Sequence, residues 1–86
     1  MRVSHFYGRT GRVIPNQLKI DDGENYWFQS YGTNIVKINN GKVYLDERYY
    51  DYSVTTGKYR NEFLGENLQE TRKKIKSGEY ILTNLN

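Results

Sequence analysis

The sequence contains no cysteine. That excludes a disulfide framework, a cysteine nucleophile and thiolate metal sites, and it favours a reducing, cytoplasmic setting, because small secreted domains usually need staples. Alanine is also absent. It is the strongest helix former, so long helices are not expected to dominate. His5 is the sole histidine; it has no second metal ligand in view and no serine in a nucleophile elbow to serve. Thr56-Gly57-Lys58 lacks the preceding glycine and the following Ser/Thr of a P-loop. Asp21-Asp22-Gly23-Glu24 lacks the spaced oxygen ligands of a calcium loop. No apolar run approaches the ~18 residues of a membrane span, and Met1-Arg2-Val3-Ser4-His5 is not followed by the apolar stretch of a signal peptide. The expectation is a soluble, non-enzymatic protein with no catalytic residue, metal, cofactor or membrane contact.

What is present is enough for one domain spanning 1–86. Val, Ile, Leu and Phe total 20 of 86 residues, near the lower limit for a globular chain. Nine tyrosines and Trp27 offset this, since aromatic rings bury large area while keeping a polar tip wet. The net charge is +3 and the pI about 9.2, which favours polyanionic partners.

Three turn signals divide the centre of the chain. Asp22-Gly23 and Asn40-Gly41 suit type I′ hairpins, and Gly32-Thr33 suits type II′. Two-residue loops fix register. Ile38 then faces Val43, Lys37 faces Tyr44 and Val36 faces Leu45; Trp27 faces Ile38, Phe28 faces Lys37 and Gln29 faces Val36; Leu18 faces Trp27 and Lys19 faces Tyr26. Alternation puts Leu18, Ile20, Trp27, Val36, Ile38, Val43 and Leu45 on one face. Lys19, Tyr26, Phe28, Ser30, Ile35, Lys37, Lys42 and Tyr44 take the other. Strands are expected at 17–21, 25–31, 34–39 and 42–47, after a short first strand and an irregular loop over Gly8–Pro15.

Two helices should follow. Thr55 or Thr56 caps the first, which runs to Leu64 with Tyr59 and Phe63 on one side and Gly65 as its stop. Asn67 caps the second, with Glu70 completing a capping box, an inner stripe of Leu68, Thr71 and Ile75, and Gly78 as its stop. A last strand is expected over 79–85. The fold class is α+β: an antiparallel β-meander of about four to five strands packed against one or two short C-terminal helices.

Three sets of residues are candidates for binding. Tyr26, Phe28 and Tyr44, flanked by Lys19, Lys37 and Lys42, combine stacking rings with cations, as single-stranded nucleic acid requires. Alternatively, this face is covered by other parts of the chain. Arg72, Lys73, Lys74 and Lys76 can grip phosphates, or simply complement a helix C-terminus. Arg9 and Arg12 form a basic loop beside Arg2, available to phosphate or an acidic partner.

Short segments carry a resemblance: Phe28-Gln29-Ser30-Tyr31, Gly41-Lys42-Val43-Tyr44-Leu45-Asp46, Tyr52-Ser53-Val54-Thr55-Thr56-Gly57-Lys58-Tyr59-Arg60, Phe63-Leu64-Gly65 and Ser77-Gly78-Glu79-Tyr80. From Tyr26 through Asn86 the chain resembles small accessory proteins of phages and plasmids of Gram-positive bacteria. The resemblance implies a mobile-element origin and assigns no residue roles. It implies as partner a nucleic acid or a nucleic-acid-handling host protein. The leading reading is a binding protein docking on nucleic acid. The alternative is a protein inhibitor of a host defence nuclease, of anti-CRISPR or anti-restriction type, using its tyrosines as interface anchors. An exposed edge strand would also let two copies pair as a homodimer.

Overall fold

Two tight turns at opposite ends of one strand set the centre of the sheet. Asn40 and Gly41 have φ of 50° and 76°, and Tyr31 and Gly32 have φ of 51° and 76°. Positive φ at both central residues is the type I′ geometry that matches strand twist. The Asn40-Gly41 turn gives the register its sequence predicts, with Val36 opposite Leu45, Lys37 opposite Tyr44 and Ile38 opposite Val43. The other turn sits one residue earlier than Gly32-Thr33, so Ser30 faces Thr33. A β-bulge follows. Gln29 faces Asn34 while Phe28 faces Val36, which leaves Ile35 as the extra residue. Trp27 therefore faces Lys37, where Ile38 was expected. That one-residue change inverts the strand relative to its neighbour.

The structure, a computed structural model, describes residues Met1–Asn86. Its elements are β1 (Arg2–Tyr7), β2 (Val13–Asp21), β3 (Tyr26–Ser30), β4 (Thr33–Asn39), β5 (Lys42–Asp46), α1 (Val54–Leu64), α2 (Leu68–Ser77) and β6 (Tyr80–Thr83). All six strands form one sheet in chain order. The first five make an antiparallel meander, and β6 runs parallel to β5. A parallel neighbour requires a crossover, and α1 and α2 supply it. The α+β class and C-terminal helices match the sequence expectation. Gly8–Pro15 is less irregular than expected, because β2 already starts at Val13.

The β2–β3 connection is four residues, Asp22 to Asn25, so Lys19 faces Phe28 and Ile20 faces Trp27. The expected pairs were Lys19 with Tyr26 and Leu18 with Trp27. Asp22 causes the difference: its carboxylate accepts hydrogen bonds from the N–H groups of Glu24 and Asn25 and from the Trp27 indole, building the loop around itself. This shift of two residues leaves side-chain faces unchanged.

The helix-covered face thus combines half of each expected face. Phe6, Phe28, Ile35, Val36, Leu45, Tyr59 and Tyr80 form the core. Phe28 is fully buried, edge-on to Phe6 at 5.6 Å and stacked on Phe63 at 5.7 Å. Trp27, Leu18 and Ile20, expected in the core, lie on the opposite face. Tyr80 is the buried residue of β6, where Ile81 and Leu85 were expected to form the apolar side.

Helix α1 is capped by Ser53, whose Oγ accepts the Thr56 N–H; Thr55 and Thr56 lie inside the helix. Thr56 is instead buried, its hydroxyl 3.0 Å from that of Ser30. Tyr59 and Phe63 pack on the sheet as expected, at 5.2 Å from Phe6 and 4.9 Å from Tyr26. Gly65 ends the helix with φ 71°. Helix α2 has the expected Asn67/Glu70 capping box and Gly78 stop, with Thr71 buried and Ile75 against the core.

Candidate nucleic-acid interface

The two helices occupy only the Phe28 side of the sheet. On the other side, successive strands place Val3, Ile20, Trp27, Lys37, Tyr44 and Ile81 in cross-strand register. No helix covers them. The C-terminal tail reaches only the end of β4 and β5, where Asn86 bonds to the backbone of Asn34 and to Asp46.

The centre of this open face is aromatic and basic. The Lys37 ammonium lies 4.7 Å from the Tyr44 ring centroid and 5.8 Å from that of Trp27, worth ~0.5–1 kcal/mol at an exposed site. Lys42, two residues from Tyr44 on the same strand face, is exposed. Neither lysine is in a salt bridge with an acidic side chain. The Trp27 indole donates to Asp22 at 2.9 Å, which fixes the ring at one margin of the platform. The backbone N–H of Asn25, the Trp27 indole and the Glu24 N–H hold the Asp22 carboxyl down at about 2.

Only three of the six expected platform residues therefore share the open face: Lys37, Lys42 and Tyr44. Phe28 is buried core. Tyr26 is on the helix side against Phe63, and Lys19 sits over the Phe6 ring at 4.7 Å. Lys19 and Tyr26 do line a separate concavity of about 320 Å³ with Arg2, Ser4 and Asp21. Sequence reasoning missed Trp27 as a platform residue and Arg2 as a partner of Lys19. The bulge at Ile35, which puts Trp27 opposite Lys37, is what hides the first.

The basic run on α2 is divided. Arg72 pairs with Asp51 at 3.0 Å, and Lys74 with Glu66 at 2.7 Å. Glu66 also accepts hydrogen bonds from Tyr80 and Thr71. Burial raises the Glu66 carboxyl, but hydrogen bonds from Lys74, Thr71 and Tyr80 outweigh it and hold it below its ordinary value. Burial and the Glu66 hydrogen bond push the Tyr80 phenol up to about 12. The hydrogen bond to Glu66 holds the Lys74 ammonium above its ordinary value. Arg72 and Lys74 are thus ion-paired, Arg72 at the exposed surface, whereas Lys73 and Lys76 are exposed and in no salt bridge. Arg9 and Arg12 are exposed in the β1–β2 loop.

A second arrangement of side chains lies on the helix side, at the end of the sheet carrying the β3–β4 turn. Tyr31, Tyr49, Tyr52, Ser30, Ser53 and Thr56 line a cavity of about 360 Å³. No ionisable group other than tyrosine borders it.

No helix is long and apolar enough to cross a membrane. His5 stands on the open face opposite Leu18, and no three His, Asp or Glu residues are grouped as metal ligands. No curated protein and no solved structure matches the chain. The model of a family of unknown function, DUF8033, matches residues 1–79 and so takes in β1 to β5, both helices and Gly78 and stops before β6; the chain belongs to that family.

Proposed function

We propose that this protein is a non-enzymatic binding protein whose uncovered sheet face docks single-stranded nucleic acid. The observation that carries the reading is the Trp27–Lys37–Tyr44 cluster, two rings flanking one unpaired cation on a face that no helix covers. Bases stack on such rings irrespective of sequence, and lysines meet the phosphates between them. The positive net charge complements the ligand. A mobile-element origin and a cytoplasmic setting belong to the same proposal, resting on the segment resemblance and the missing cysteine.

Fluorescence anisotropy with labelled single-stranded RNA, single-stranded DNA and duplex DNA tests it. Single strands should bind best at low salt. If Lys37 and Lys42 each neutralise one phosphate, log K should fall against log salt with a slope of about −1.4. No binding to any of the three at low salt would overturn the reading. Capture of a stoichiometric nuclease partner after nucleic acid has been digested away would then support the inhibitor alternative.

A further inference from the structure

The two type I′ turns of this protein have different residues at the same conformation. One has asparagine at its first left-handed position, the residue that conformation suits. The other has Tyr31, a bulky side chain at φ 51°. Left-handed backbone at a large residue is strained, and such strain collects at functional sites. The Tyr31 side chain does not earn its place through packing, since the residue is 62% exposed. It borders the cavity of about 360 Å³ between the sheet end and the start of α1.

Two more rings border the same space. Tyr49 and Tyr52 stand edge-to-face at 5.4 Å, and Tyr52 is 70% exposed. The polar lining consists of hydroxyls in a chain. Ser53 Oγ lies 3.1 Å from Thr56 Oγ1, which lies 3.0 Å from Ser30 Oγ. Each hydroxyl both donates and accepts. The volume lies within the ~300–1,000 Å³ range of small-molecule sites.

We infer that this cavity is a binding site for a nucleobase, separate from the open sheet face. Three tyrosine rings suit a flat, aromatic ligand. The phenol groups of Tyr31, Tyr49 and Tyr52, which make no side-chain hydrogen bond within the chain, both donate and accept and suit a ring edge carrying both kinds of group. The absence of lysine, arginine, aspartate and glutamate from the lining disfavours a phosphate or a metal ion as the ligand held there. The base arrives either as a free nucleoside or as an unstacked base of a strand. The site does not depend on the Trp27 platform, because the two lie on opposite sides of the sheet.

The test is amide chemical-shift mapping of the full chain. The probes are adenosine, guanosine, cytidine and uridine, each added singly, and a short single-stranded RNA. Shifts at residues 30–33 and 52–56 with at least one nucleoside assign the site to a free ligand. Shifts there with the RNA alone assign it to a base within a strand. Shifts confined to residues 27, 37 and 44 would support the platform and overturn the pocket; shifts at the pocket alone would do the reverse. Tyr31→Asn keeps the turn and removes the ring. It should raise the melting temperature while weakening pocket binding at least tenfold, and Tyr52→Ala should weaken binding without altering the turn. Unchanged binding in both variants, or no pocket shifts with any probe, would overturn the inference.

Discussion

Trp27 and Phe28 are neighbours in the chain and belong to opposite sides of the molecule. Phe28 is sealed between Phe6 and Phe63 with no exposed surface. Trp27 lies on the uncovered face beside Lys37, with its indole bonded to a loop carboxylate. Both are large aromatic residues, so composition does not tell them apart. What separates them is strand parity, and which parity faces the helices is set by the bulge at Ile35 on the neighbouring strand. The same chemistry thus serves stability on one face and is available to a ligand on the other.

The comparison breaks most visibly on truncation. Phe28→Ala should cost ~3–5 kcal/mol in a urea melt, as for a fully buried aromatic residue. Trp27→Leu should stay within about 1 kcal/mol yet lose ~1–3 kcal/mol of oligonucleotide affinity, the worth of one stacked base. Equal stability losses from the two would erase the distinction between the faces.

Charge sharpens it next. Glu66→Gln on the helix side leaves Lys74, Thr71 and Tyr80 without their carboxylate and should cost ~1–3 kcal/mol, with nucleic-acid affinity unchanged. Because the Glu66 carboxyl is held below its ordinary 4.5, its contribution is complete above that pH and is lost as pH falls through the lowered value. The Tyr80 phenol, raised from 10.0 to about 12, contributes fully below pH 10 and loses its contribution as pH rises through about 12.

Tyr31→Asn should stabilise the fold by about 1 kcal/mol, the left-handed penalty of a side chain that does not suit that region. Thermal melts of the variant and the native chain give the sign. The smallest effect belongs to Lys42→Gln, which should leave stability alone and flatten the salt slope of single-strand binding by about 0.7.

Much of the fold was legible from the sequence. Asn40-Gly41 announced its turn and register, Asn67 and Glu70 announced the start of α2, and Gly65 and Gly78 marked both helix ends. The β3 register was not legible, for two physical reasons. Tyrosine at a left-handed position runs against the preference of that conformation, so Gly32-Thr33 reads as the better turn. The bulge at Ile35 has no composition of its own to mark it. The earlier turn shifts the pairing by two residues and keeps the faces; the bulge shifts it by one and inverts β3 relative to β4, which moves Trp27 out of the expected core and Phe28 into it. Of the candidate site, Lys37, Lys42 and Tyr44 survived because their register depends only on the Asn40-Gly41 turn. The pairing of Arg72 with Asp51 and of Lys74 with Glu66 depends on tertiary packing, which a run of basic residues does not reveal.

Trp27 is the only tryptophan, so its fluorescence reports on the open face alone. Titration of the native chain with an unstructured single-stranded RNA should quench that emission to saturation at low salt, with recovery as salt is added. Emission that does not change at low salt, while the chain remains folded, would contradict the assignment of this face to nucleic acid.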